Sequence, residues 1–409
     1  MKWKKRSDDE IKSCVFNALS QNINYKVENV IGLPGSHLDE RVFSQEVGFI
    51  HDAPYLSTLV QNPNHIGCHT IGDSESYFTG THELEREVIA ICAEDILKAK
   101  PNSVDGYVSA GGTEANLQAV WIYRNYFMRE KGAKLNEIAL ICSSDSHYSM
   151  AKAANMFQLN YCSIPVDFNT RHIELHELDA QLNQLKQVGV KYLVVVANMM
   201  TTMFGSVDDL EPMVDLFQEY DLEVKIHIDG AYGGFYFPFS NEHSTLNFEN
   251  EWIDSFTLDA HKMVQAPYGT GIFLIRKGWM QYATTKEASY VLGEDCTISG
   301  SRSGANAVAV WMIFAKYGFH GWFEKILILQ KRTDWLEKQL KAEGIRFYRN
   351  KYANIVTIEA TDVPKGIADK FGLVPDNHDH PKWYKIVVMD HVTLEKLELF
   401  VEELYKVQA

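Results

Sequence analysis

Four short, almost unbroken apolar runs mark the middle of the chain, at residues 138–142, 192–197, 224–228 and 271–275. Each has the length of a strand and is rich in aliphatic, largely β-branched residues, the pattern of strands buried on both faces. Between them the period changes. Residues 83–97, 113–129 and 211–220 carry apolar positions at three- and four-residue spacing, which predicts helices with one buried stripe. This alternation predicts an α/β domain with a mostly parallel sheet. Ligands of such sheets sit beyond the carboxyl ends of the strands, so the residues just after each strand are the first candidates for chemistry. After about Ser301 the pattern shifts: helical stretches at 305–318 and 322–343 precede strands near 354–358 and 385–389 and a final amphipathic helix from Leu394. The expected division is an N-terminal arm over residues 1–50, a large α/β domain over 51–300 and a small α+β domain over 301–409.

Composition acts mainly by exclusion. Apolar residues make up 46% and charged residues 23% of the 409 positions, ordinary globular usage. The net charge of −15 repels phosphate backbones and anionic membrane surfaces, so neither nucleic acid nor membrane is an expected partner. The charged N-terminus leads into no signal-peptide core, and the apolar run at 192–200 is too short to span a bilayer. Six scattered cysteines form no CxxC pair and no His/Cys ligand spacing. A cytoplasmic protein with free thiols and no metal is the expectation.

Four local features carry candidate chemistry. The stretch Gly111-Gly112-Thr113-Glu114-Ala115-Asn116 opens a helix after Tyr107-Val108-Ser109. Small residues at a helix N-terminus let backbone N–H groups approach one phosphate, although a plain N-cap at Thr113 reads equally well. Ser146-His147-Tyr148-Ser149 follows the 138–142 strand, placing a histidine at the ligand edge or in a simple capping turn. His227-Ile228-Asp229-Gly230-Ala231 ends another strand on a carboxylate, costly to bury without a positive partner. His227 and Asp229 share a face, but no third ligand is evident for a metal. Finally, Asp259-Ala260-His261-Lys262 sets a lysine in a segment of low charge, a candidate amine with a lowered pKa and Schiff-base chemistry, or else a surface lysine. A phosphate cup, a ring-stacking histidine, a buried carboxylate and a reactive lysine together match what pyridoxal 5'-phosphate requires.

With these motifs in order, the chain resembles the pyridoxal-phosphate-dependent group II amino-acid decarboxylases of fold type I. The similarity is strongest to the short archaeal and bacterial tyrosine/aspartate and histidine decarboxylases. It extends from about His65 to the C-terminus and includes Gly-Ser-Arg-Ser-Gly at 300–304 and Val-Val-Met-Asp-His-Val at 387–392. The resemblance implies a homodimer with shared sites and an L-amino-acid substrate converted to its amine and CO2. Lys262 would carry the cofactor aldehyde, Asp229 would pair with the ring nitrogen, and His147 and Ala231 would flank the ring. Gly112, Thr113 and His261 would hold the phosphate, with Ser255 or Thr257 assisting. Thr202 or Thr201 would bond near the cofactor hydroxyl or the substrate. Arg302 would serve the substrate side of the site or a structural ion pair. Two departures stand out: Met389-Asp390-His391 replaces the family's Met-Pro-His, and the 287–299 stretch is short, leaving Tyr290 and His147 as rival proton donors. His65 and His69 are expected at the substrate entrance. An aromatic or polar substrate is preferred, with acidic amino acids and other fold-type-I reactions as alternatives.

Overall fold

The computed structural model describes residues 2–22, 53–72, 76–284 and 294–408. Its central sheet contains β1 (Val104–Ser109), β2 (Ile138–Ser143), β3 (Asn160–Ile164), β4 (Tyr192–Asn198), β5 (Glu223–Gly230), β6 (Ile253–Asp259) and β7 (Gly271–Arg276). The order across it is β1-β7-β6-β5-β4-β2-β3. Only β7 runs against its neighbours, so the other six strands point their carboxyl ends at one edge while helices return on either side. Alternate residues of β2 and β4 enter different cores. Ala139, Ile141, Leu193 and Val195 join one, and Ile138, Leu140, Val194 and Val196 the other. That alternation explains the continuous apolar runs: both faces of the pleat are covered.

The helices are α1 (Asp8–Ser20), α2 (Pro54–Gln61), α3 (Thr79–Ala90), α4 (Gly112–Glu130), α5 (Ser149–Phe157), α6 (Leu175–Gln187), α7 (Glu211–Glu219), α8 (Phe237–Ser240), α9 (Gly304–Ala342), α10 (Lys365–Lys370) and α11 (Leu394–Gln408). Helix α1 starts at a capping box: Ser7 N–H donates to Glu10 Oε2 at 2.7 Å, and Glu10 N–H donates to Ser7 Oγ at 3.2 Å. Its buried stripe, Ile11, Val15, Ala18 and Leu19, packs into the core of its own chain. The rest of the expected arm, residues 23–50, lies outside the described residues.

Helix α9 links the two parts of the fold. Trp311, Phe314 and Trp322 pack into the large core, whereas Leu336 and Leu340 belong to the small-domain core. The small sheet has the order β10-β11-β9-β8, built from β8 (Phe347–Tyr348), β9 (Ile355–Glu359), β10 (Val374–Pro375) and β11 (Trp383–Val387). No helix among the described residues is long and apolar enough to cross a membrane.

Candidate active site

Five parallel strands end on one cavity of about 660 Å³. From β1 come Gly111, Gly112 and Thr113; from β2, His147; from β4, Met200 to Thr202; from β5, Asp229 and Ala231; and from β6, Asp259, His261 and Lys262. Gly111 adopts φ +148°, and no side chain caps the start of α4, so its first-turn N–H groups face the cavity. A Cβ on Gly112 would come within 2.8 Å of Asp259 Oδ2 and 3.2 Å of the Ala231 methyl. The cradle therefore needs glycine there.

Behind the cavity a polar chain fixes Asp229. Asn116 Nδ2 donates to Asp229 Oδ2 at 2.9 Å, and Ala231 N–H donates to Oδ1 at 3.1 Å. The Asn116 carbonyl lies 2.9 Å from His227 Nε2, so that nitrogen carries the proton. His227 Nδ1 then accepts from Ser255 Oγ at 2.7 Å, and Ser255 meets the Tyr123 hydroxyl. Burial pushes His227 down to about 4, which keeps the ring neutral. The shared face of His227 and Asp229 thus serves Asn116 rather than a metal.

Lys262 Nζ lies 3.0 Å from Asp259 Oδ2 and remains about one-third exposed to the cavity, less enclosed than the sequence implies. Burial raises the Asp259 carboxyl, an effect opposed chiefly by the Lys262 charge. Asp259 Oδ1 and His261 Nδ1 are buried beside the cavity with no hydrogen-bond partner among the described residues. His147 is half-buried; Ser149 N–H donates to its Nδ1 at 3.3 Å, with Ser149 Oγ at 2.9 Å. Desolvation holds this imidazole below its ordinary pKa, against the pull of Asp229. From the small domain, Lys385 Nζ donates to the Thr202 carbonyl at 2.8 Å, and its own pKa is lowered by burial and by Lys262.

Gly112, Thr113, His147, Thr202, Asp229, Ala231, His261 and Lys262, scattered over 150 positions, all line this one cavity. Thr201 lines it too, although its Oγ1 is engaged by Ser206 Oγ at 2.7 Å. Others go elsewhere: Ser255 and Thr257 face His227 inside the sheet. Within its own chain Arg302 does not line the cavity; it is buried against Glu85 and donates to the Val108 carbonyl at 2.8 Å. His65 and His69 are also interior residues beside Glu85, not an entrance. Tyr290 lies outside the described residues. Asn116, Asp259 and Lys385 were not picked out from sequence, although the first two sit inside motifs that were.

The lining fits pyridoxal phosphate on its own terms: an uncapped helix start for the phosphate, an anchored carboxylate, an accessible amine, and buried polar atoms still lacking partners. Comparison with known proteins agrees. A family profile described as the pyridoxal-dependent decarboxylase conserved domain matches residues 54–354. The chain is 48% identical over 405 residues to the tryptophan decarboxylase of Clostridium sporogenes, covering 99% of this chain and 97% of that protein. It is 30% identical to a probable L-tyrosine/L-aspartate decarboxylase of Methanocella arvoryzae, over 87% of this chain and 94% of that protein. Among solved structures, the L-methionine decarboxylase of Streptomyces sp. 590 superposes with a TM-score of 0.70 at 19% identity, over 91% and 90% of the two chains. That likeness shows the fold.

Proposed function

The chain belongs to the pyridoxal-dependent decarboxylases, and from that membership we propose that it converts an aromatic L-amino acid, tryptophan foremost, to its amine and CO2. The observation that carries the aromatic reading is the charge of the cavity wall. No arginine appears among its described lining residues, whereas Glu114, Asp229 and Asp259 do, together with Leu117, Met200, Tyr268 and Ile298. An acidic side chain would meet like charge there. The 48% identity to a tryptophan decarboxylase supports the same choice.

Gly112, Thr113 and His261 would hold the cofactor phosphate, Asp229 its ring nitrogen and Lys262 its aldehyde; bound, it supplies an electron sink for the pair left behind by departing CO2. The residues set the rest. Asn116 and the Ala231 N–H fix the Asp229 carboxylate, so its charge stays on one spot. The substrate carboxylate leaves as a neutral molecule, which a cavity low in water favours. His147 accepts from Ser149 at Nδ1, so its proton sits on Nε2, and desolvation keeps the ring neutral. We assign to His147 the return of a proton to the substrate carbon: the ring takes up a proton from solvent and then gives one to the carbon, ending neutral again, while Lys385 anchors the Thr202 loop.

Six unpaired thiols fit a reducing cytoplasm. At the mouth, Tyr268 is 88% exposed and Ile298 42% exposed, apolar surface that a second copy of the chain would cover in a homodimer. The test is a panel of the twenty amino acids assayed with cofactor-loaded protein for CO2, amine and hydrogen peroxide together. Tryptophan, or another aromatic, should give CO2 and amine one to one without peroxide, and Lys262→Ala should abolish both turnover and the visible cofactor absorbance. A preference for aspartate or glutamate would overturn the substrate reading; peroxide with aldehyde would overturn the reaction type.

A further inference from the structure

His65, His69 and His82 converge in the interior, apart from the cavity lining, each no more than 4% exposed. The sequence shows no ligand spacing because His82 comes from the first turn of α3, while the other two lie on the preceding loop. Folding brings them together. His65 N–H is pinned to the Arg302 carbonyl at 2.9 Å, and Arg86 holds the His69 carbonyl. The His69 and His82 rings stack at 3.6 Å, and the His65 ring meets them edge-on at 5.2 and 4.5 Å. One ligand nitrogen from each ring lies within 4.8 Å of the other two.

The nitrogen inventory is the informative part. His65 Nδ1 lies 2.5 Å from Glu85 Oε2, and His65 Nε2 lies 2.9 Å from Thr81 Oγ1. His69 Nε2 and both ring nitrogens of His82 are buried with no hydrogen-bond partner among the described residues. Native interiors rarely leave such groups unpaired, and three in one place call for a ligand. We propose that His65, His69 and His82 bind one divalent transition-metal ion of the zinc class. Three imidazoles suit zinc and its neighbours, whereas calcium and magnesium require oxygen donors. Zinc–nitrogen bonds of about 2.05 Å place ligand nitrogens roughly 3.4 Å apart, and the stacked His69 and His82 rings must rotate apart for their in-plane lone pairs to converge on the ion, a side-chain-scale change.

Glu85 completes the arrangement. It holds the Nδ1 proton of His65, leaving the Nε2 lone pair for the ion, the carboxylate–histidine–metal relay that orients ligands in metal sites. Thr81 gives up His65 at little cost, because its hydroxyl also reaches the Phe78 carbonyl at 3.1 Å. Glu85 pairs in turn with Arg302 at the approach to α9. The ion would clamp the 65–69 loop to α3 and, through Glu85, to Arg302. It is a structural site, since none of its three ligands lines the active cavity.

The experiment uses the cofactor-loaded full chain, stripped with chelator and titrated with Zn2+ or Co2+. Expected are one tightly held equivalent per chain by elemental analysis, tetrahedral-type visible bands with Co2+, and a metal-dependent rise in Tm. The double variant His69→Ala/His82→Ala should lose all three responses, and His82→Gln should weaken binding at least tenfold while keeping the cofactor absorbance that reports folding. His176→Ala, which removes the exposed Glu174/His176/Glu177 group, should leave binding unchanged. Absence of a stoichiometric equivalent in the wild type, or equal uptake by wild type and double variant, would overturn the proposal.

Discussion

Asn116 offers one carbonyl and one amino group, and the structure uses both. The amino group serves Asp229 and Ser149, and the carbonyl takes the His227 proton. Since Ser149 in turn meets His147, one amide sets both the carboxylate and the histidine of the site. A hydrogen bond to a charged group contributes about 1.5–3 kcal/mol, which corresponds to roughly 10–100-fold. Asn116→Ala should therefore lower kcat by that factor and weaken cofactor retention, read from steady-state rates and titration of the visible band. Unchanged values for both would remove the chain from catalysis. The motif containing Asn116 was legible in sequence, but only its phosphate-facing half carries a local signature, because the partners that Asn116 meets on β5 lie more than 100 positions away. Arg302 was harder still. Its partner, Glu85, lies 217 positions away, and a buried ion pair leaves no local signature.

At the scale of elements, the strands of the large sheet with unbroken apolar runs were legible, the polar edge strand β3 was not, and neither were β1 and β6. Polar residues interrupt β1 and β6, and tertiary partners satisfy them: Asp105 accepts the Gly278 N–H at 2.8 Å, and Asp254 accepts from Lys225 and from the Ile226 N–H. The two helical stretches expected at 305–318 and 322–343 are both present: α9 is two helices joined across a kink at Gly318, whose non-helical φ of +60° only glycine adopts easily. Close approach by glycine also seats α1. A Cβ on Gly80 in α3 would lie 1.8 Å from the Ala18 carbonyl oxygen, which is backbone and cannot swing away. Gly80→Ala should cost about 1–3 kcal/mol or more and expose α1 to proteolysis. Gly366, in α10, meets nothing within 4 Å, so Gly366→Ala should gain about 0.5–1 kcal/mol from helix preference. Paired thermal melts check the contrast, and equal Tm changes would refute it.

For the molecule as a whole, a chain of net charge −15 encloses ionisable groups displaced in opposite directions. His227 is held down to about 4, and its burial costs stability as pH falls from 6.5 towards 4, where the unfolded chain takes up a proton first. Asp208 is the mirror case. Buried and accepting from Asn198 N–H and Nδ2 at 2.7 Å each, it is pushed up to about 6 by desolvation. Between 3.8 and 6 the folded chain retains a proton that the unfolded chain releases, so stability falls as pH rises through this window. Raised from 3.8 to about 6, this carboxyl accounts for a fall of roughly 3 kcal/mol. These opposed contributions nearly cancel, and a single wild-type profile would conceal both. The difference between Asp208→Asn and wild type separates them, because asparagine keeps an acceptor for Asn198 and has no proton to lose. Chemical denaturation at a series of pH values should show the variant gaining on the wild type by about 3 kcal/mol between pH 4 and pH 6.5, then holding constant. A difference independent of pH would place the Asp208 carboxyl in its ordinary range and remove this balance of buried charges.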